Sequence, residues 1–149
     1  MTPRPIADVL PHAGSMILID RIERYDAESI VCLRRLGPGH PFADADGHVP
    51  AWVGIELMAQ AIAAWSGSHA RDAGQSVRLG FLLGSRSYQC DADAFRAGSE
   101  LRIEARRTFH DEDGMGAFVC RIDAGDVRAQ ARLTVFSPSD PATFLASLA

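Results

Sequence analysis

The feature that most constrains this chain is the run over residues 53–71, VGIELMAQAIAAWSGSHAR, which is apolar on nearly every side. Ile55, Met58, Ala59, Ile62, Ala63 and Ser66 fall on one stripe at helical spacing, and Leu57, Ala61, Ala64 and Trp65 add a second apolar face. A helix of that kind is buried on most sides. A chain of 149 residues can bury it only by wrapping the rest of itself around it. A single acid, Glu56, stands near the start of the run, and Gly74 lies just past its end as a stop signal.

The remaining segments have the character of a sheet. Residues 16–25 and 29–36 read as two strands of a hairpin, with a turn at 26–28. Residues 77–90, 100–110, 117–123 and 127–136 follow the helix as four more strands. Gly80 and Gly84 mark bulges or close approaches, and an Asp-Gly turn lies at 111–116. The first dozen residues, broken by Pro3, Pro5 and Pro11, are irregular with one short helical turn near 6–10, and 142–149 forms at most a short terminal helix. Residues 37–50 are a long loop rich in Gly and Pro, a length that points to function. The order β-β-α-β-β-β-β in a single domain, 1–149, predicts an α+β architecture in which a long curled antiparallel sheet wraps one central helix, the hotdog fold.

Charge and residue usage exclude several functions. The formal net charge is −4 and the pI about 5.7, which argues against a nucleic-acid surface. All 15 basic residues are Arg, so lysine chemistry of the Schiff-base or P-loop kind is excluded. Cys32, Cys90 and Cys120 are scattered singly in apolar surroundings and read as reduced core residues rather than a disulfide or zinc set. No run has the length of a signal peptide core or a membrane span, so a cytoplasmic protein is expected.

Several strings match a known pattern. Leu10-Pro11-His12 leads into MILIDRI (16–22); Gly47-His48-Val49-Pro50 precedes the helix; Gly54 and Glu56-Leu57-Met58-Ala59-Gln60 open it; Phe95-Arg96-Ala97-Gly98-Ser99-Glu100-Leu101 follows later. Together they cover most of the chain. They resemble the β-hydroxyacyl-acyl-carrier-protein dehydratases of fatty-acid and polyketide-type synthesis, and the string over 49–67 resembles the predicted dehydratases of aryl-polyene biosynthesis. The resemblance implies a hotdog dimer, either of identical subunits or of two different hotdog subunits. It implies an acyl carrier protein as partner, a substrate held on that carrier's phosphopantetheine, and no further cofactor or metal. It also implies that His48 and Glu56 are catalytic and that the histidine and acid that meet come from different subunits. One departure is plain: only eight positions separate His48 from Glu56, where the family's loop is longer.

The chemistry suits these residues. Dehydration needs a base for the α-proton, an acid for the departing hydroxyl and donors for the thioester oxygen. Histidine titrates near neutral pH, and a carboxyl buried beside an apolar helix is shifted toward the range of a general acid. Backbone N–H groups around Gly54, at the positive end of the helix, would suit the thioester oxygen. Gln60, one turn after Glu56, would orient the acid, and Trp52 would line an acyl tunnel or pack. His12 reads first as packing for the N-terminal segment, His69 and His110 as surface residues, and His40, Asp44 and Asp46 as loop and turn residues. Arg34, Arg35, Arg71, Arg78 and Arg86 are candidates for a carrier or phosphate patch. Two alternatives stay open: a hotdog thioesterase that uses Glu56 to activate water, and a non-catalytic hotdog subunit that completes an active partner.

Overall fold

The computed structural model describes residues 1–77, 80–137 and 146, with only the backbone of 81–83. The terminal helix expected over 142–149 lies, but for residue 146, outside the described residues, as does Arg78. In chain order the elements are β1 (Arg21–Tyr25), β2 (Ser29–Arg35), β3 (Val49–Pro50), α1 (Val53–Asp72), β4 (Phe81–Cys90), β5 (Ala94–Phe95), β6 (Glu100–His110), β7 (Met115–Ala124) and β8 (Val127–Phe136). Six of the strands form one antiparallel sheet in the order β1-β2-β6-β7-β8-β4, and β3 pairs with β5 in a two-residue ladder.

The sheet's alternation explains how it holds the helix. Leu101, Ile103 and Ala105 of β6, Phe118, Cys120 and Ile122 of β7, and Ala129, Ala131 and Leu133 of β8 are buried at every second position. They share one core with Val53, Leu57, Ala61, Ala64 and Trp65 of α1. The helix therefore lies in the concavity of the sheet, as the sequence predicts, and the arrangement is the hotdog fold. The deepest face of α1 is the one carrying Leu57, Ala61 and Ala64. Ala59, Ala63 and Ser66, from the stripe first read as the core face, are half-buried. α1 ends in a Schellman turn: Gln75 N–H donates to Ala70 O and Gly74 N–H to Arg71 O, with Gly74 at φ 71° where a side chain would be strained.

Three local departures have physical causes. The first strand begins at Arg21 rather than Met16, because Gly14–Met16 is a 3-10 turn and the Gln60 side chain engages the backbone that would start the strand. The β1–β2 turn is built on Asp26, whose carboxylate accepts the N–H groups of Glu28 (2.8 Å) and Ser29 (2.7 Å); these bonds hold it below the usual carboxylate range. The long loop over 37–50 is tied down at its end by the β3–β5 ladder, which pairs Val49 with Phe95 and sets where α1 begins. In β4 the register shifts beside Gly84, as expected of a bulge, and again around Ser87, whose φ is 54°.

Candidate active site

A cavity of about 620 Å³ runs between α1 and the ends of β6, β7 and β8. Its helical wall includes Glu56, Ala59, Gln60, Ala63, Ser66 and Ala70, all on one face of α1, flanked by Ile62, Trp65 and His69. The small side chains at four of these six positions leave the space. Phe118, Met115 and Val135 line it from the sheet, and His12 lines it from the N-terminal segment. The result is a largely apolar groove with a carboxylate and an imidazole at one part of its wall, a common form for a small-molecule site.

Glu56 is in the first turn of α1 with its side chain 45% exposed. The burial expected of this carboxyl is thus not supplied within the single chain. Gln60, buried one turn later, donates from Nε2 to Glu56 Oε1 at 3.4 Å. The same amide nitrogen donates to Met16 O at 2.7 Å, and Gln60 Oε1 accepts Leu18 N–H at 2.9 Å. Gln60 therefore joins the acid to the N-terminal segment.

That segment carries His12, which sequence reasoning placed in packing. Its Nε2 lies 3.8 Å from Glu56 Oε1, and its Nδ1 is buried without a partner among the described residues. Three of the contacts that hold the segment on α1 lie close to His12. Arg71 Nε donates to Asp8 O at 3.0 Å. Gly67 allows the Val9 carbonyl to lie against the helix, because a Cβ there would collide with the oxygen and stand 2.8 Å from its carbon. The Gln60 clamp is the third. The only sequence signal for His12 was its place in the Leu-Pro-His string.

The other expected site residues lie elsewhere in the single chain. His48 Nδ1 accepts Ala97 N–H at 3.0 Å, and its own N–H donates to Asp44 Oδ1 at 2.9 Å, so it is bound to the turn between β5 and β6. It does not line the cavity. Asp44 also accepts Asp46 N–H at 2.9 Å, the turn role expected of it. The expectation of a free N–H at Gly54 is corrected: that N–H donates to Ala51 O at 3.0 Å, closing a tight first turn. Gly54 is required for space, since a Cβ would lie 3.1 Å from Tyr88 Cζ, and the Tyr88 hydroxyl donates to Ala51 O. Trp52 is 59% exposed and packs edge-on to Phe42, with ring centroids 5.4 Å apart, outside the groove.

Further along the cavity, His69 is half-buried rather than on the surface. Its Nε2 is 2.8 Å from Asp26 O and its ring packs edge-on to Tyr25 and Trp65. The Arg107 guanidinium stands over the Trp65 ring at 4.8 Å. His40 is buried, its Nδ1 accepting Phe42 N–H at 3.1 Å, and burial holds its imidazole below the usual histidine range. The candidate arginines do not share one role: Arg34 and Arg71 donate to backbone carbonyls, Arg35 pairs with Glu100, and Arg86 lies opposite Arg132 in the ladder. Among the described residues no helix is long and apolar enough to cross a membrane.

Comparison with known proteins gives a consistent result. A profile of the ApeP-like family, described as ApeP dehydratase, matches residues 4–146. Among solved structures, the chain is similar to the dehydratase heterocomplex ApeI:P from Xenorhabdus doucetiae, with 32% identity over 97% of each chain and a TM-score of 0.90. It is similar to a sigma28-regulated virulence protein from Campylobacter jejuni at 16% identity, covering 92% of this chain and 89% of that one with a TM-score of 0.60. It is similar to a hypothetical thioesterase from Streptococcus pneumoniae, solved with coenzyme A, at 14% identity over 80% and 87% with a TM-score of 0.57. Likenesses of that distance speak to the fold alone. The comparison with curated proteins finds no match.

Proposed function

The chain belongs to the ApeP-like dehydratase family, and from that membership we propose that it takes part in the dehydration of a 3-hydroxyacyl thioester carried on the phosphopantetheine of acyl carrier protein. The product is the trans-2-enoyl thioester plus water, in aryl-polyene-type or fatty-acid synthesis in the cytoplasm. The reaction needs no cofactor, because both proton transfers are within the reach of side chains.

The observation that carries this reading is the position of Glu56. It stands at the wall of an apolar groove of about 620 Å³, with an imidazole near it and a buried amide bonded to it. As the carboxylic acid it protonates the departing hydroxyl; an imidazole takes the α-proton. Within the chain His12 stands nearest the acid, with His69 and His110 further along the groove; the resemblance implies His48 of a second subunit. The heterocomplex formed by the similar Xenorhabdus dehydratase supports a second hotdog subunit as partner here. It equally favours a second reading, in which this chain completes the groove of an active partner without doing chemistry itself.

The test is incubation of the protein, alone and in its native complex, with a 3-hydroxyacyl carrier protein, followed by mass spectrometry. Loss of one water that Glu56→Gln abolishes supports the catalytic reading. Loss of water that survives Glu56→Gln supports the silent-subunit reading. Release of free acid would make the protein a thioesterase.

A further inference from the structure

We propose that the outer face of the sheet, beside one opening of the groove, is the surface on which an acidic carrier protein docks, with Phe109 at its centre and Arg86, Arg106, Arg121 and Arg132 around it; this rests on the dehydratase reading above. The strand register brings these residues together. Arg106 of β6, Val119 of β7, Arg132 of β8 and Arg86 of β4 stand side by side in one row across the sheet. Phe109, Ala117, Thr134 and Gly84 form the next row toward the strand ends, and Arg121 lies in the row on the other side. These positions alternate with Ala105, Phe118, Cys120 and Leu133, which pack in the core with α1. They therefore lie on the face turned away from the helix.

The charges of this face are not balanced within it. Arg86, Arg121 and Arg132 are exposed, and none forms an ion pair or side-chain hydrogen bond among the described residues. Arg106, also exposed, lies near Asp26 without bridging it and helps to hold that carboxylate low. The acids that share the face are engaged elsewhere: Glu104 with Arg102 at 3.8 Å, and Asp123 with Arg128 at 3.7 Å. Arg86 and Arg132 are directly opposite in the ladder, with Cβ atoms about 5 Å apart, and like charges so placed destabilise a sheet. The whole chain carries −4, so this excess of positive charge does not come from a basic composition. Beside it Phe109 is 56% exposed. An exposed aromatic ring among unpaired guanidinium groups has the make-up of a protein interface, where aromatic and Arg side chains carry most of the binding. Its complement is a surface of carboxylates, which guanidinium forks bind in bidentate fashion, around an apolar side chain.

Position favours the carrier as that partner. His110 and Asp111 follow Phe109 in the chain, line the groove and are themselves exposed, so the groove opens to solvent next to the patch. Along α1 the groove runs from Glu56 to Ala70, about 21 Å at ~1.5 Å per residue, which an extended phosphopantetheine can span. A carrier on the patch thus sends its arm in past His110 and its thioester toward Glu56. A membrane fits the face less well, because a single ring on a sheet lacks the broad apolar stripe of a membrane-surface helix.

The test uses the protein in its native complex. It measures the Kd for phosphopantetheinylated carrier protein by calorimetry, and dehydration of a 3-hydroxyacyl group offered on the carrier or on free pantetheine. The variants are the double substitution Arg86→Glu with Arg132→Glu, and Phe109→Ser. The first exchanges one like-charged pair for another, so the sheet is little affected. Expected for each is a rise of at least about tenfold in the Kd for carrier and in the KM for carrier-borne substrate, with kcat and the KM for the pantetheine thioester little changed. The double substitution to Lys keeps the charge and loses less. Added salt weakens carrier binding to wild type more than to the charge-reversed pair. Unchanged carrier binding in the variants, an equal rise in KM for both substrates, or disassembly of the complex in sedimentation overturns the inference and leaves the dehydratase reading standing. So does a patch whose substitution abolishes binding to phosphatidylglycerol vesicles and spares the carrier. A complex that binds the carrier through these residues yet releases no water upholds the docking surface and sinks the dehydratase reading; a complex that binds no carrier sinks the inference.

Discussion

Gln60→Leu tests the clamp on which the site depends. Gln60 is 1% exposed, and its amide makes two bonds to the backbone of the N-terminal segment. Leucine fills similar space but makes neither. The Leu18 N–H belongs to a residue 2% exposed, so it is left buried and unpaired at a cost of about 1–3 kcal/mol. The Met16 carbonyl belongs to a residue 60% exposed and can turn to water, which limits its loss to about 0.5–1 kcal/mol. Burying an isobutyl group in place of an amide returns roughly 1 kcal/mol. The net is a destabilisation of about 2 kcal/mol, or a fall of roughly 4–8 °C in Tm for a domain of this size. Thermal and urea unfolding at one fixed protein concentration measure it, with the urea slope unchanged. Gln60→Glu is the informative second variant. It can still accept Leu18 N–H, but it cannot donate to Met16 O, and it puts a second carboxylate one turn from Glu56. Its stability deficit should grow as the pH rises through the carboxylate range. A Tm for Gln60→Leu within roughly 1 °C of wild type would refute the clamp, because the structure offers Leu18 N–H no alternative partner.

Three more expectations follow from single contacts. Gly67→Ala forces the Val9 carbonyl off α1; we expect about 1–3 kcal/mol of destabilisation, and faster limited proteolysis near residues 5–15 that carries the activity away with it. Burial pushes the Cys32 and Cys120 thiols up to about 12, while Cys90 is only half-buried. A disulfide reagent at pH 8 should therefore titrate Cys90 alone in the native protein and all three thiols after denaturation. For His40, burial first and the Arg34 charge second hold the imidazole below its unfolded value near 6.5, with Asp20 opposing. A lowered folded value means the unfolded chain binds the extra proton. The contribution is therefore present above about pH 6.5 and is lost as the pH falls through the folded value. Urea unfolding from pH 7.5 to 5 should show this loss, and His40→Gln should flatten it.

The parts of the fold written in the sequence are those with a period. α1 is legible because a run apolar all round has few other destinations, and β6 and β8 because their buried residues alternate, at 101, 103 and 105 in β6 and at 127, 129, 131 and 133 in β8. β3 and β5 are two residues each, too short for a period, yet they fix the end of the long loop and hence the direction of His48. MILI has the apolar character of a strand, yet β1 starts only at Arg21 because Gln60 engages the backbone before it. The site divides the same way. Glu56 stands out as the lone acid of the apolar run over residues 53–71. The His12–Glu56 approach joins distant parts of the chain through a carbonyl packed on Gly67 and a side-chain clamp, and neither leaves a periodic trace.

The shortened loop and the fastened N-terminal segment are two aspects of one arrangement. Pro50 leads through one tight turn into α1, and β3–β5 pairing directs the residues before it toward β6, so His48 is held at Ala97. The beginning of α1 is then left to be covered from two other sides. The N-terminal segment covers the groove side with His12. β4 covers the opposite side with Tyr88, whose ring lies against Gly54 and whose hydroxyl bonds Ala51 O. β4 is an outer strand of the sheet, bonded to β8 on one side only, with two register shifts along it. A second hotdog subunit pairing edge to edge along β4 would load the strand that carries Tyr88, and Tyr88 bears on the turn that sets the first residues of α1. Glu56 is in that first turn. The acid is thus tied to the N-terminal segment through Gln60 and to the outer strand through Ala51 and Gly54, so a partner bearing on either element would act on the position of this carboxylate.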